Sequence, residues 1–429
     1  MKKARVALSC LLACLLLQPV PALAASNDPL FRHLWGLQRV GAEQAWRVSR
    51  GAGVLIAVID TGVDLSHPDL AGKVVPGASL VGEGTADDQH GHGTMVAGIA
   101  GARTGNGQGI ASVAPDATIL PLRVFDEQGI STSSRVAGAI RLARDEARRR
   151  GNKLVLNLSF VGPPRAPGEP VSRNAILGDR SVRTAISEAA ADGAAVVAAS
   201  GNDGSSETAF DAPSNVGIIV VGASDRGDRC ASFTNYGPGL DILAPGVDIL
   251  STYWALNGNR SVYAYGDGTS LAVPFVAGAA ALLMATGLTN VQAINRLLAS
   301  ARGPEVSCKG ESSRYRHLDI AAALGTPRAR NDPSFRSAAT HPPIPPARLA
   351  PSGDQEPDIL RAGEAPQIYG GGAGTPAGTS PPPEAMRVTR TERQDDARRI
   401  AMGMLVAMTA LLLLEGRRRS RRRRRLGSD

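Results

Sequence analysis

Continuous apolar runs of strand length recur between residues 27 and 325 of the chain. They are residues 54–59, 119–124, 154–158, 195–199 and 218–221. Runs that do not alternate strictly between apolar and polar positions are typical of parallel strands covered on both faces. We therefore predict a mostly parallel sheet at the centre of this region.

Helical patterns lie between the apolar runs. In residues 133–149, Val136, Ile140 and Ala143 lie on one helical face, and a glycine follows the segment. Residues 181–192 show the same apolar face and a following glycine, which is common just past helix C-termini. The alternation of strands with helices predicts an α/β fold with a doubly wound, mostly parallel sheet over residues 27–325.

The composition changes after this region. Residues 326–399 are rich in Pro, Gly, Ala, Ser and Arg. Such a stretch cannot bury enough apolar surface to offset its ordering entropy, so we predict a disordered linker. Residues 400–414 are uncharged and mostly apolar, and an Arg-rich tail follows at residues 415–429.

We expect residues 400–414 to form one C-terminal transmembrane helix. At 1.5 Å per residue the helix would span about 22 Å, which is short of a ~30 Å hydrocarbon core, but flanking arginines can snorkel and the bilayer can thin. The arginines place residues 415–429 in the cytoplasm and the rest of the mature chain outside it, in the periplasm or extracellular space. The alternatives are a buried or interfacial helix, and a sorting tail that a membrane protease removes.

The N-terminus has the layout of an export signal. Basic residues at positions 2, 3 and 5 precede an apolar run, and an Ala-Leu-Ala motif ends at Ala24. This layout predicts a signal peptide over residues 1–24 and an exported mature chain. Cleavage after Ala25 is an alternative, and a lipoprotein-type interpretation of Cys14 fits its preceding residues less well.

Charge and cysteine content add two expectations. The formal net charge is +8, but eight arginines lie within residues 417–425, so the rest of the chain is formally neutral and we expect no nucleic-acid partner.

The mature chain keeps Cys230 and Cys308, and a pair of cysteines in an exported protein favours a disulfide. Two unpaired thiols are the alternative. We also expect a monomer.

Four short motifs carry the candidate chemistry. Asp60 lies in Val-Ile-Asp-Thr-Gly, His92 in His-Gly-His-Gly-Thr, and Ser270 in Gly-Thr-Ser. A Ser-Gly-Asn motif ends at Asn202. Asp60 follows an apolar run, at the carboxyl end of a predicted strand, where open α/β sheets place their sites. Ser270 opens an apolar helical stretch with Pro274 in its predicted first turn, so orphan amides and the helix dipole would favour negative charge beside it.

These motifs resemble those of the subtilisin-like serine proteases (subtilases, peptidase family S8) in residue type, order and approximate spacing. The resemblance implies a serine endopeptidase that hydrolyses extended polypeptides through an acyl-enzyme. In that pattern Asp60 orients His92, which is the general base. Ser270 is the nucleophile, and the side-chain amide of Asn202 holds the oxyanion. His90 is expected only to shape the pocket.

Two departures and two alternatives accompany the resemblance. Leu271 and Phe275 stand where the family usually has methionine and histidine, at positions that take no part in proton transfer. Asp60 and Asn202, taken singly, could instead be turn residues that bind local amides.

The resemblance also implies contacts with the substrate. The residues at these positions are Ser159, Phe160, Val161 and Gly162, which would pair with the substrate backbone and line the S1 pocket, and Ala199, Ser200 and Gly201. Phe160 and Val161 replace the usual residues, so we predict only that P1 is apolar or small.

The run Asn27-Asp28-Pro29 looks like the start of thermitase-type catalytic domains. That likeness implies a structural Ca²⁺ held by Asp28, Asp69 and Asn106, with backbone oxygens of residues 103, 108 and 110. Hard oxygen ligands suit Ca²⁺. The alternative is that Asp69 only caps a local turn. No organic cofactor is expected.

Two functions of other classes remain as alternatives. A catalytically silent scaffold could bind extended peptides, although such a site has no chemical reason to keep all four motifs. The C-terminal span and arginines could also form a lipid- or partner-binding module with incidental proteolysis.

Overall fold

The computed structural model describes residues 26–127, 129–160, 176–206, 208, 217–255, 260–326 and 359–361. Strands in this part of the chain form two sheets. In chain order they are β1 (Val54–Asp60), β2 (Ala78–Ser79), β3 (Thr118–Arg123), β4 (Lys153–Leu158), β5 (Ala195–Ala199), β6 (Ile218–Ser224), β7 (Ile242–Pro245), β8 (Ile249–Ala255), β9 (Arg260–Gly266), β10 (Arg302–Val306), β11 (Tyr315–His317) and β12 (Ile359–Arg361).

The larger sheet has nine strands in the order β10-β11-β7-β6-β5-β4-β1-β3-β2. Every neighbouring pair from β11 to β2 is parallel, and only β10 and β11 are antiparallel. All residues of β1, β5 and β6 are buried. The predicted parallel sheet is therefore confirmed, and burial on both faces explains why these strands read as continuous apolar runs.

Helices cover both faces of the sheet. In chain order they are α1 (Trp35–Val40), α2 (Ala42–Ala45), α3 (His92–Gly101), α4 (Ser133–Arg150), α5 (Arg180–Ala191), α6 (Thr269–Ala285), α7 (Asn290–Ser300) and α8 (Ile320–Ala323). Alternate residues of β1 belong to different core clusters: Val54, Ile56 and Val58 pack with α3, α6 and α7, whereas Leu55, Ala57 and Ile59 pack with α4 and α5. The two layers make the sheet doubly wound, as predicted.

The smaller sheet contains β8, β9 and β12. β8 and β9 form an antiparallel hairpin, and β12 adds to β9 in parallel, with Leu360 opposite Ala264. β12 lies within residues 326–399, which composition alone predicts to be a disordered linker. Backbone pairing with β9 orders these three residues; of the remaining linker only Thr326 is described. The predicted signal peptide, membrane span and Arg-rich tail also lie outside the described residues.

Every described residue lies in the first of two units of the chain, residues 1–372 and 373–429. No single described helix is both long and apolar enough to cross a membrane; α6 and α7 meet those criteria only as a pair, and that pair is bent by 119°.

A disulfide joins Cys230 to Cys308 with 5.3 Å between their Cα atoms.

Candidate active site

Asp60 and His92 meet at the carboxyl end of β1. Asp60 is the last residue of β1 and is fully buried, and His92 is the first residue of α3. His92 Nδ1 lies 2.8 Å from Asp60 Oδ1, and the amide of Thr61 donates to the same oxygen at 2.8 Å. A proton on Nδ1 that is donated to the carboxylate leaves Nε2 free to accept another.

Glycines let α3 approach the turn after β1 closely. A Cβ at Gly93 would lie 2.0 Å from the carbonyl oxygen of Gly62. Gly91, the residue before α3, has φ 102°, and a Cβ there would lie 2.2 Å from the ring of Tyr253. The glycines on either side of His92 therefore allow α3 to lie close enough to β1 for the His92 side chain to reach Asp60.

Asp88 is a second buried carboxylate beside His92. Its Oδ1 accepts hydrogen bonds from the Thr61 hydroxyl and from the amides of His90 and Gly91, each at 2.9 Å. Its Oδ2 accepts from the amide and hydroxyl of Thr94 at 3.0 and 2.6 Å. Asp88 thus joins the turn after β1 to the start of α3. None of the sequence motifs points to Asp88, whose only local signal is that an acidic residue stands four positions before His92.

The charges of these carboxylates raise the pKa of His92. Burial by itself lowers the pKa of the imidazole, but the charge of Asp60, the hydrogen bond to it and the charge of Asp88 together raise the pKa above its ordinary value. The pKa of His90 moves the other way, because burial and the neighbouring charge of His92 lower it. The two histidines of one motif therefore have different protonation behaviour, and His92 is the one held by a carboxylate.

Ser270 is the second residue of α6 and is partly exposed. A Cβ at Gly268 would lie 2.9 Å from Ser270 Oγ and 3.7 Å from Asn202 Nδ2, so the bare glycine faces both groups. Pro274 is the sixth residue of α6, so its predicted place in the first turn is wrong by one turn. Its missing N–H leaves the Ser270 carbonyl without the usual helical donor.

Asn202 follows β5 and reaches the start of α6. Its Oδ1 accepts hydrogen bonds from the amide and the hydroxyl of Thr269, both at 2.8 Å. Because the carbonyl end of the side chain is fixed in this way, the Nδ2 end points toward the space beside Gly268 and Ser270. Asn202 and Ser270 are both partly exposed, so solvent reaches the space between their side chains.

Within the described part of the chain, Ser270 Oγ and His92 form no hydrogen bond with each other. Such contacts are often long in an enzyme without substrate and shorten when substrate binds. The site therefore presents a buried carboxylate beside a partly exposed imidazole, and a serine hydroxyl with an amide donor at a helix N-terminus. That arrangement can accept a proton at His92 and stabilise an anion beside Ser270.

The residues expected to contact substrate are mostly buried. Ser159 is fully buried and its hydroxyl accepts a hydrogen bond from Asn157 Nδ2 at 2.7 Å. Phe160 is 2% exposed and packs against Phe125 with ring centroids 5.2 Å apart, so its side chain belongs to the core. Ala199, Ser200 and Gly201 are buried as well, and Val161 and Gly162 lie outside the described residues.

The three residues expected to hold a metal do converge. Asp28 accepts hydrogen bonds from the amides of Gly105 and Asn106 at 2.8 and 3.0 Å. Asp69 accepts from the Ile110 amide at 2.8 Å, and Asn106 Nδ2 lies 3.3 Å from its other oxygen. Burial, with the charge of Asp28, raises the pKa of Asp69 to about 6. The described residues contain no cluster of three His, Cys, Asp or Glu side chains suited to a metal.

Comparisons with known proteins identify a family and relatives that this chain resembles in sequence. Residues 51–327 match the model of the subtilase family, described as peptidase family S8. A thermophilic serine proteinase of Bacillus sp. (strain AK1) is 44% identical over 269 residues, and the match spans 62% of this chain and 61% of that protein. Thermitase of Thermoactinomyces vulgaris is 40% identical over 263 residues, covering 61% of this chain and 86% of thermitase.

Solved structures match as well. A protease of Pseudoalteromonas arctica aligns with a TM-score of 0.59 at 27% identity, covering 70% of this chain and 99% of that one. A cold-adapted subtilisin-like serine proteinase aligns with a TM-score of 0.52 at 29% identity, covering 66% and 97%. The chain spans only 61% of the Bacillus proteinase, so the matches describe the folded region and not the whole of that relative.

Proposed function

This chain belongs to the subtilase family of serine endopeptidases, and we propose that it hydrolyses peptide bonds of extended polypeptides through Asp60, His92 and Ser270. The observation that carries the proposal is the 2.8 Å contact between His92 Nδ1 and the fully buried Asp60 carboxylate. This contact supports a base with the correct tautomer, whose imidazolium form is stabilised when it takes a proton.

The residues give each step a place. His92 Nε2 takes the proton of Ser270 Oγ as the oxygen attacks the scissile carbonyl carbon. The Asn202 amide and the Ser270 backbone N–H hold the resulting oxyanion. His92 then returns the proton to the leaving amine. In the second half of the reaction His92 takes a proton from water as the water attacks the acyl-enzyme carbonyl, and it returns that proton to Ser270 Oγ as the acid product leaves. Hydrogen bonds from Thr269 support the orientation of Asn202 that this role requires.

Peptide hydrolysis by the full chain tests the proposal. Incubation with an unfolded protein substrate should give new peptide termini, and Ser270→Ala should abolish them while its thermal unfolding stays like that of the parent. A folded parent protein that binds extended peptides without cleaving them would instead support a silent scaffold. Mapping the new termini would also test our expectation of apolar or small P1 residues.

We further propose that Asp28, Asp69 and Asn106 hold a structural Ca²⁺. The donor chemistry fits, because both carboxylates are buried and bind the same loop, and neither forms a salt bridge with a described residue. A bound ion would supply the positive charge that this buried pair lacks, with the amide oxygen of Asn106 turned toward it. Asp241 is a control carboxylate away from this loop: its Oδ2 accepts from the Val220 amide at 2.8 Å, and burial raises its pKa to about 6 as well. A calcium chelator should lower the unfolding temperature of the parent and of Asp241→Asn, but not that of Asp69→Asn. An equal chelator effect in Asp69→Asn would contradict the assignment.

Export and membrane attachment complete the proposal. Residues 1–24 would direct export, residues 27–325 would form the peptidase domain, and residues 326–399 would link it to a membrane span at residues 400–414. The Cys230–Cys308 disulfide supports an oxidising compartment for the peptidase domain. Cell fractionation with and without residues 398–429 tests the attachment, and a parent protein found wholly in the soluble fraction would contradict it.

A further inference from the structure

The turn that carries Asn202 is held from outside by one buried side chain, Asn235. Asn235 Oδ1 accepts hydrogen bonds from the amides of Asp203 and Ser205 at 2.8 and 3.2 Å. The backbone N–H of Asn235 donates to the carbonyl oxygen of Gly201 at 3.0 Å. These contacts grip the main chain on both sides of Asn202. Asn235 is 4% exposed, so water does not compete readily for them.

The contact between the turn and Asn235 is closely packed. Gly201 has φ 116°, and a Cβ at this position would lie 2.3 Å from Asn235 Nδ2. Only glycine permits both this backbone conformation and this approach. The Gly201 of the Ser-Gly-Asn motif thus makes room for Asn235 in addition to allowing a turn.

Asn235 itself sits on a rigid segment. The Thr234 hydroxyl donates to the carbonyl of Ala223 on β6 and accepts from its amide, both at 3.1 Å. The Gly204 amide donates to the Phe233 carbonyl at 2.7 Å, and Lys309 Nζ donates to the Gly204 carbonyl at 2.7 Å. The segment begins beside the Cys230–Cys308 disulfide. Strand β6 and the disulfide therefore anchor the residue that grips the turn.

We propose that Asn235 is a positioning residue for the reaction, which fixes the main chain of Asn202 so that its amide meets the oxyanion. The inference rests on the proposed function. Thr269 fixes the far end of the Asn202 side chain, and Asn235 fixes the backbone from which that side chain extends. Oxyanion donors act because they are aligned before the charge develops, so a small displacement costs rate and leaves substrate affinity largely unchanged.

A double-mutant cycle on the full chain tests this coupling. In the parent, Asn235→Ala should lower kcat roughly 10-fold or more, since misplacing a reacting group by about 1 Å can cost about 10²-fold, and should change KM less than about 3-fold. Asn202→Ala should lower kcat by about 10²- to 10³-fold. In the Asn202→Ala background, Asn235→Ala should change kcat less than about 3-fold, because the amide it positions is already gone.

Two variants separate positioning from general stability. Asn235→Asp combined with Asp203→Asn keeps an acceptor for the amides of residues 203 and 205 and avoids two carboxylates where Asn235 Nδ2 now lies 3.4 Å from Asp203 Oδ2, so the pair should recover most of the lost kcat. Asn290→Ala is the matched control, because Asn290 is also buried and donates two hydrogen bonds to backbone carbonyls, of Ala190 and Ala194, between other elements. It should lower the unfolding temperature and leave kcat unchanged. If Asn235→Ala does not fold, Asn235→Ser enters the same cycle with a smaller expected loss.

The outcomes distinguish two failures. If Asn202→Ala retains the parent kcat, the oxyanion assignment in the proposed function is wrong, and this inference falls with it. If Asn202→Ala is impaired but Asn235→Ala lowers kcat by the same factor in both backgrounds, the proposed function stands and the positioning role of Asn235 is overturned. Equal kcat in the folded Asn235→Ala variant and the parent overturns it as well.

Discussion

Two histidines beside the larger sheet, one partly exposed and one buried, have pKa values shifted in opposite directions. His92 is the first residue of α3, and its Nδ1 lies 2.8 Å from the buried carboxylate of Asp60. Burial by itself lowers the pKa of His92, but the charges of the nearby carboxylates raise it above its ordinary value. His317 lies on β11 and is 6% exposed, and neither of its ring nitrogens has a hydrogen-bond partner among the described residues. Burial, aided by the charge of Arg39 and opposed by Asp225, lowers the pKa of His317 to about 4.

The contrast shows what makes a histidine useful as a base. Burial alone favours the neutral ring and removes its ability to hold a proton at neutral pH. A carboxylate buried beside the ring reverses that effect and also fixes which nitrogen carries the proton. His317 has no such partner among the described residues, whereas His92 has the carboxylate that acid–base chemistry needs. Each experiment below changes either the carboxylate beside His92, the edge of the sheet that carries His317, or the protonation of one of the two histidines.

Asp60→Asn should convert His92 into a histidine more like His317. The neutral amide no longer stabilises the imidazolium or selects its tautomer, so kcat should fall by about 10⁴-fold, the loss typical of a serine-protease triad without its carboxylate. Steady-state peptide hydrolysis measures this. His317→Leu is the control and should keep the parent kcat. A loss smaller than about 10-fold in Asp60→Asn would show that the carboxylate is not needed.

Removing the disulfide should destabilise the edge that carries His317. The cysteines are separated by 78 residues, and closing a loop of that length stabilises the fold by roughly 4 kcal/mol in the chain-entropy model. The double substitution Cys230→Ser with Cys308→Ser should therefore lower the free energy of unfolding in denaturant by about that amount. Reducing agent should destabilise the parent and leave the double variant unaffected. A change below about 1 kcal/mol would mean that packing alone holds this edge.

His317 should make the fold sensitive to acid. Its folded-state pKa is about 4 and its ordinary value is 6.5, so between these values the unfolded chain binds more protons. Stability is therefore fully present above pH 6.5 and is lost as pH falls toward 4, by about 3 kcal/mol from this group. His317→Leu lacks this contribution, so its stability relative to the parent should improve on going from pH 7.5 to pH 4. If the difference in the free energy of unfolding between His317→Leu and the parent is the same at pH 7.5 and pH 4, His317 is not the group that makes the fold sensitive to acid.

The raised pKa of His92 should set the acid limb of activity. The base must be neutral to accept the Ser270 proton, so kcat/KM should fall as pH drops through an apparent pKa above 6.5. Peptide hydrolysis between pH 5 and 9 measures it, over a range in which the parent is shown to stay folded. Full activity at pH 5.5 would mean that His92 is not the base, or that Asp60 does not raise its pKa.

Sequence patterns anticipated the centre of this molecule better than its edges. Strands β1 and β4 to β6 read as apolar runs because both faces are buried, and the motifs located Asp60, His92, Asn202 and Ser270. Asp88 and Asn235 were missed because their roles depend on backbone amides from turns that only folding brings together. The hairpin of β8 and β9 was not anticipated either. The three-residue strand β12 depends on pairing with a distant edge, which composition does not encode.

Labelling with a fluorophosphonate probe tests whether Ser270 is an activated nucleophile. The serine oxygen attacks the phosphorus of the probe as an adjacent base takes the hydroxyl proton, and fluoride leaves, so the serine becomes phosphonylated. We expect one label on the folded full chain, mapped by mass spectrometry to the peptide that contains Ser270 and absent from Ser270→Ala. A folded protein that takes no label, or one labelled at another serine, would contradict it.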